Sequence, residues 1–162
     1  MNTREKMEKL LNEMKTKPNS RFDVDYYSEK DKNPYVWKVF FEGPKDSIYK
    51  GGFYMVKVVF DENYPISMPQ PYFMNKIFHP HVGQSSLSCC IVPKKINSKY
   101  DIYFVLDAVE SMFYDYEKDL EHAYDQTPKH YLKESKEKFI KEAQSWVTQF
   151  AKIQDIDPFY DL

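Results

Sequence analysis

Two imidazoles and two thiols fall within one short stretch. Phe78-His79-Pro80-His81 is followed, across Val82, Gly83, Gln84, Ser85, Ser86, Leu87 and Ser88, by Cys89-Cys90. These groups admit several chemistries. As a thiolate, Cys89 is a nucleophile that can hold an acyl group, and the thioester so formed stays reactive toward amines. On residue type alone, a cysteine in such a stretch is more often a small buried hydrophobe. Two His and two Cys are also the donor set of a tetrahedral zinc site. Adjacent cysteines chelate one ion poorly, however, and His-x-His with Cys-Cys is not a common structural spacing, so no metal is expected. Neighbouring cysteines bridge only with strain, which argues against a disulfide framework and fits a reduced compartment. No His or Asp is placed by sequence as a protease-style base for Cys89. An imidazole such as that of His81 can donate a hydrogen bond and can change charge near neutral pH.

The whole chain bounds what surrounds this stretch. At 162 residues it is expected to be one domain with a sizeable core, and aromatics at 17% supply large side chains for it. The net charge of −2 is nearly balanced, with Lys and Arg scattered among acids, so nucleic acid is not an expected partner. No apolar run is long enough for a membrane span and no amino-terminal signal is recognised, which points to a cytoplasmic or nuclear protein.

Residues 4–15 read as an amphipathic helix, because Met7, Leu10, Leu11 and Met14 recur at helical spacing. The breaker-rich Lys15-Thr16-Lys17-Pro18-Asn19-Ser20 ends it. Residues 22–27, 37–41, 54–60 and 72–74 have strand character, rich in Val, Tyr and Phe and bounded by turn residues. In the second, Trp37, Val39 and Phe41 alternate with Lys38 and Phe40. Short connections favour an antiparallel meander. Residues 75–101 have no clear period, and a long irregular stretch in a compact domain is more often functional than accidental. Val105, Val109, Met112 and Phe113 mark a buried helix. Phe139, Ile140, Ala143, Trp146, Val147, Phe150 and Ala151 form the apolar face of the last one, and a weaker helix at 129–136 precedes it. The order is that of an α+β fold: an amino-terminal helix, a four-stranded antiparallel meander, an irregular loop, then carboxy-terminal helices. Residues 1–151 are read as the core domain and 152–162 as a carboxy-terminal extension.

The interval of ten residues from His79-Pro80 to Cys89 resembles the active-site segment of ubiquitin-conjugating enzymes, His-Pro-Asn with a later Cys. Three further stretches resemble that family in order. They are Trp37-Lys38-Val39-Phe40-Phe41-Glu42-Gly43-Pro44; Tyr49-Lys50-Gly51-Gly52-Phe53, with Ile48 replacing a usual Pro; and Phe60, Tyr64-Pro65 and Pro69, with Met68 replacing another. Together they span roughly residues 4–151. The resemblance implies that Cys89 is the nucleophile. It would take ubiquitin from the activating enzyme, which consumes ATP, and release it to an amine of a protein substrate, usually with a ligase bound. No cofactor is implied. His79 and Pro80 would organise the loop. His81 stands where the family has Asn, a residue thought to hold the loop or stabilise the oxyanion; a His-Pro-His triplet also resembles a subgroup that modifies α-amino groups. Cys90 replaces an aliphatic residue and reads as structural. Asp115, Glu117 and Asp119 compete for the acidic position that orients an incoming lysine, with Asp119 favoured.

The same resemblance implies partner surfaces. Lys6 and Lys9 on the first helix would meet the activating enzyme. Tyr64, Pro65 and Ile66 would meet a RING or HECT ligase, with Ile66 in place of a frequent Phe. Lys95-Ile96-Asn97-Ser98-Lys99-Tyr100 replaces the family's Trp-Ser-Pro-Ala loop, and Ser86 replaces a Gly. These departures leave two alternatives: a noncatalytic variant that binds ubiquitin or a partner enzyme, and a conjugating enzyme for another ubiquitin-like modifier.

Overall fold

The computed structural model describes residues 1–17, 22–83 and 101–162. The first helix, α1 (Thr3–Thr16), begins at a capping box in which the Asn2 side chain accepts from the Glu5 backbone N–H and Glu5 reaches back to that of Asn2. It buries Met7, Leu11 and Met14, while Leu10 is only partly covered. Lys17 turns extended before Pro18, as sterics require of a residue preceding proline.

Strands β1 (Asp23–Tyr26), β2 (Val36–Glu42), β3 (Phe53–Val59) and β4 (Gln70–Phe73) form one antiparallel sheet in sequential order, the expected meander. Lys38 pairs with Asp25 on one side and Lys57 on the other. Trp37, Val39 and Phe41 face the core with Tyr54, Val56, Val58 and Phe73. Helix α2 (Ile102–Met112), capped by Asp101, brings Val105, Val109 and Met112 into the interior, and Phe113 follows at its end. The ring of Phe113 is met by those of Phe41, Tyr49, Tyr54 and Phe73 at centroid distances of 5.4 to 6.4 Å. This aromatic hub joins the sheet to the helices.

The weaker helix lies at α3 (Gln126–Glu134), starting earlier than residue 129 because Asp125 caps it. Helix α4 (Lys136–Phe150) buries Phe139 and Ala143, with Ile140, Trp146 and Val147 packed partly against the core. Its end is fastened to the sheet. The N–H of Phe53 donates to the carbonyl of Ala151, and Asn75 Nδ2 donates to the carbonyls of Phe53 and Phe150. Asn75 Oδ1 accepts from Met55 N–H. Residues 152–162 continue as α5 (Ile153–Ile156) and a 3₁₀ turn (Asp157–Asp161) lying against the outer face of the sheet. Lys38 is therefore only 4% exposed although it points away from the main core. The alternation in β2 separates two covered faces.

Candidate active site

The irregular segment leading toward Cys89 is buried throughout residues 77–83. Backbone polar groups placed there need partners, and the surrounding elements supply them. Tyr49, fully buried, donates its hydroxyl hydrogen to the carbonyl of Phe78 at 2.7 Å. Burial first, then the nearby Tyr54 and Tyr116, pushes its phenol well above the usual range, so it stays a donor. Gly43 makes this placement possible: a Cβ there would stand 2.0 Å from the Tyr49 carbonyl oxygen. Gly51, at φ +84°, turns the chain into β3. The glycines around Tyr49 thus serve the loop indirectly. The ring of Phe78 packs against Tyr131, Phe139 and Trp146 of α3 and α4.

His79 has no exposure at all. Its Nε2 lies 2.7 Å from the carbonyl of Met112, and its Nδ1 accepts the backbone N–H of His81 at 3.0 Å. Since Nδ1 accepts, the proton resides on Nε2 and is donated to Met112. Burial, reinforced by His81, pushes His79 down to about 3, against the opposing pull of the Met112 carbonyl. It is a neutral clamp between the end of α2 and the turn, and both ring nitrogens are engaged. The carbonyl of Pro80 accepts from Asp125 N–H at 3.1 Å, which joins the turn to the start of α3.

His81 is 3% exposed, and its Nε2 lies 2.5 Å from the carbonyl of Lys118. A carbonyl only accepts, so Nε2 carries the hydrogen and holds the chain at the residue before Asp119. Asp119 then adopts φ 54° and ψ 42°, a left-handed conformation that aspartate tolerates better than most residues. Its carboxylate is largely exposed and accepts from His122 Nδ1 at 2.7 Å. That bond, then the same carboxylate's charge, holds the His122 imidazole above its usual range. The three competing acids have distinct surroundings. Asp115 pairs with Lys118, Glu117 with Lys136, and Asp119 with His122 on the turn that His81 grips.

The structure thus brings His79, Pro80, His81 and Asp119 together. Cys89, Cys90, Ser86 and residues 95–100 lie outside the described residues. Asn75, Lys118, His122 and Asp125 also shape this region and were not singled out by sequence. Lys118 and Asp125 contribute backbone groups, Asn75 side-chain bonds to distant backbone, and His122 a pair with a carboxylate three residues before it, none of which forms a recognisable motif.

The other sequence-predicted residues lie on α1 and in the loop that follows β3. Lys6 and Lys9 are exposed on α1. The Lys17 ammonium lies over the ring of Tyr103, 4.7 Å from its centroid. The N–H of Ile102 donates to the hydroxyl oxygen of Tyr64 at 3.0 Å. The ring of Tyr64 packs edge-on against Phe60. Tyr64 is therefore largely a support, whereas Pro65 is exposed and Ile66 is 64% exposed.

A family model described as ubiquitin-conjugating enzyme matches residues 5–147. The chain belongs to the ubiquitin-conjugating enzyme family. Among curated relatives, ubiquitin-conjugating enzyme E2 14 of Arabidopsis thaliana is 35% identical over 83 residues, 51% of this chain and 48% of that protein. Ubiquitin-conjugating enzyme E2-23 kDa of Triticum aestivum is 51% identical over 53 residues, 33% of this chain and 29% of that protein. The chain spans about half or less of the length of these relatives. The solved E2 domain of a Toxoplasma gondii ubiquitin conjugating enzyme shares the fold, with a TM-score of 0.77 at 22% identity, covering 91% of this chain and 98% of that one. The ubiquitin-conjugating fold accounts for the helix, meander and carboxy-terminal helices described above. Within that fold, His79 and His81 tie the turn to the backbone of Met112 and Lys118.

Proposed function

We propose that this ubiquitin-conjugating family member carries ubiquitin as a thioester on Cys89 and transfers it to an amine of a protein substrate. The observation that carries the reading is the buried His79-Pro80-His81 turn, clamped to Met112 and Lys118, in a family member with a cysteine ten residues beyond His79. A clamped turn gives the following segment a defined origin, which positioning of a reacting thioester requires. The Cys89 thiolate would take the acyl group from the thioester of the activating enzyme. An unprotonated amine would then attack the carbonyl carbon, the C–S bond would break, and the amine's proton would be lost as the thiolate departs.

Asp119 is assigned to receive or orient the incoming ammonium, and His122 modulates how much negative charge it presents. His81 acts here as a positioning residue for the turn that carries Asp119. The exposed faces at Lys6 and Lys9 and at Pro65 and Ile66 are assigned to the activating enzyme and a RING or HECT ligase. The test is charging with activating enzyme, ATP and ubiquitin, followed by a nonreducing gel. The expected product is a thiol-sensitive ubiquitin adduct that is absent in Cys89→Ala and retained in Cys90→Ala. A folded protein that forms no such adduct overturns the reading. Repeating the reaction with other ubiquitin-like modifiers then separates a different modifier from a binding-only role.

A further inference from the structure

The stretch between α2 and α3 is hung from the His79-Pro80-His81 turn at two points. His81 Nε2 donates to the carbonyl of Lys118, and further along the N–H of Asp125 donates to the carbonyl of Pro80. Two bonds to consecutive residues fix where residues 119–124 stand relative to that turn. Between them, one pair of residues is joined twice. The N–H of His122 donates to the main-chain carbonyl of Asp119 at 3.0 Å, and His122 Nδ1 lies 2.7 Å from Asp119 Oδ1. Residues three apart in a 3₁₀ turn eclipse one another, so the turn itself brings these two side chains together. An ionised carboxylate only accepts, so Nδ1 carries a hydrogen and Nε2 is the nitrogen that gains or loses the titrating proton.

The pair faces solvent. The side chains of Asp119 and His122 are 66% and 76% exposed, so an incoming amine can reach them. The hydrogen bond to Asp119 first, then the charge of Asp119, and last that of Glu121 hold the imidazole above its usual range. The cations of this region are matched to other acids, Lys118 to Asp115 and, from α4, Lys136 to Glu117. Asp125, capping α3, accepts from Thr127 N–H. Protonation of His122 therefore turns an anionic pair into a neutral one. An ammonium approaching Asp119 meets an uncompensated carboxylate in one state, and a carboxylate already matched by a cation in the other.

We propose that His122 is a specificity-determining residue of the transfer site: when neutral it leaves Asp119 to draw in cationic acceptors such as lysine, and when protonated it withdraws that preference. The inference rests on the thioester reading and adds to it an acceptor selected by charge and switched near neutral pH. The transfer step is unaltered. The amine nitrogen bonds to the thioester carbonyl carbon, the C–S bond breaks, the Cys89 thiolate leaves, and the amine's proton passes to solvent. His122 acts before that step, on the local concentration of the cation from which the free amine arises. The attraction is present above the elevated transition of His122 and is lost as pH falls through it.

The test uses the full chain, charged with activating enzyme, ATP and ubiquitin and then discharged in a single turnover. The acceptors are free lysine and hydroxylamine, a cationic and a largely uncharged amine, from about pH 6 to about pH 8, where an imidazole changes charge. The readout is the lysine-to-hydroxylamine rate ratio of wild type divided by that of His122→Gln. This quotient cancels the amines' own ionisation, and glutamine keeps an N–H for Asp119 without titrating. The quotient is expected near one at the alkaline end and to fall about two- to fivefold at the acidic end, the range of an exposed charge pair. In about 1 M salt, where screening is nearly complete, the fall should vanish. In an Asp119→Asn background the quotient should be flat at every pH. A flat quotient in the native background would overturn the proposal, as would a fall that survives high salt or the loss of Asp119. A quotient of one under acid that rises above one under alkali would make His122 a proton acceptor instead, and would overturn it too. A folded protein that takes no ubiquitin would overturn the thioester reading and this inference with it, whereas a charged protein with a flat quotient overturns this inference alone.

Discussion

Acidification should weaken this fold through His79 by an amount that can be isolated. Its imidazole is held at about 3 while an unfolded chain restores the ordinary value of 6.5. Between these values the unfolded state binds a proton that the folded state refuses. Stability is therefore unaffected by this residue above the unfolded value and is lost as the pH falls below it, at about 1.4 kcal/mol per pH unit. At about pH 5 the loss amounts to roughly 2 kcal/mol, or about 4–8 °C in Tm for a domain of this size. His79→Gln does not titrate and can still donate to the carbonyl of Met112, although it loses the acceptor for His81 N–H. Wild type should exceed this variant in stability near pH 7.5 by about 1–3 kcal/mol, the usual consequence of an unsatisfied buried group. That advantage should shrink by about 2 kcal/mol near pH 5. Urea unfolding followed by the emission of buried Trp37 measures both gaps. Equal gaps at the two pH values would mean that His79 titrates normally in the folded protein, and the neutral-clamp reasoning would fail.

Three further outcomes follow from the same geometry. Tyr49→Phe removes the donor to the buried Phe78 carbonyl and should destabilise the fold by about 1–3 kcal/mol by urea unfolding; a neutral result would mean that the carbonyl finds water instead. Asn75→Ala removes one buried and two part-buried hydrogen bonds by which this side chain bridges β3 and the end of α4, so a loss of about 3 kcal/mol is expected, with faster amide exchange at Met55. Equal exchange in the two proteins would refute the fastening role. Asp119→Asn should let the His122 imidazole return toward its ordinary range, lowering the pH at which it titrates by NMR. The pair's contribution to stability is present below the unfolded value of His122 and fades as pH rises through the elevated folded value. An unchanged titration would mean that the bond to Asp119 does not persist in solution.

The periodic elements were legible in the chain because burial imposes periodicity. Met7, Leu11 and Met14 mark the inner stripe of α1, and Trp37, Val39 and Phe41 the inner row of β2. The motifs around His79, Gly43 and Tyr64 were legible because each needs residues close together in sequence: a turn, a close backbone approach, a short loop. Family membership follows from these local signals together with the match over residues 5–147. Tertiary structure alone decided which groups reach one another across long separations. His81 meets the backbone of Lys118, His79 that of Met112, and Asn75 that of Phe150, each through a carbonyl that every residue possesses and no sequence pattern advertises. The covering of Lys38 by residues 157–161 was hidden for the same reason. A lysine alternating with core residues reads as solvent-facing until a segment more than a hundred residues away folds back and offers its main chain.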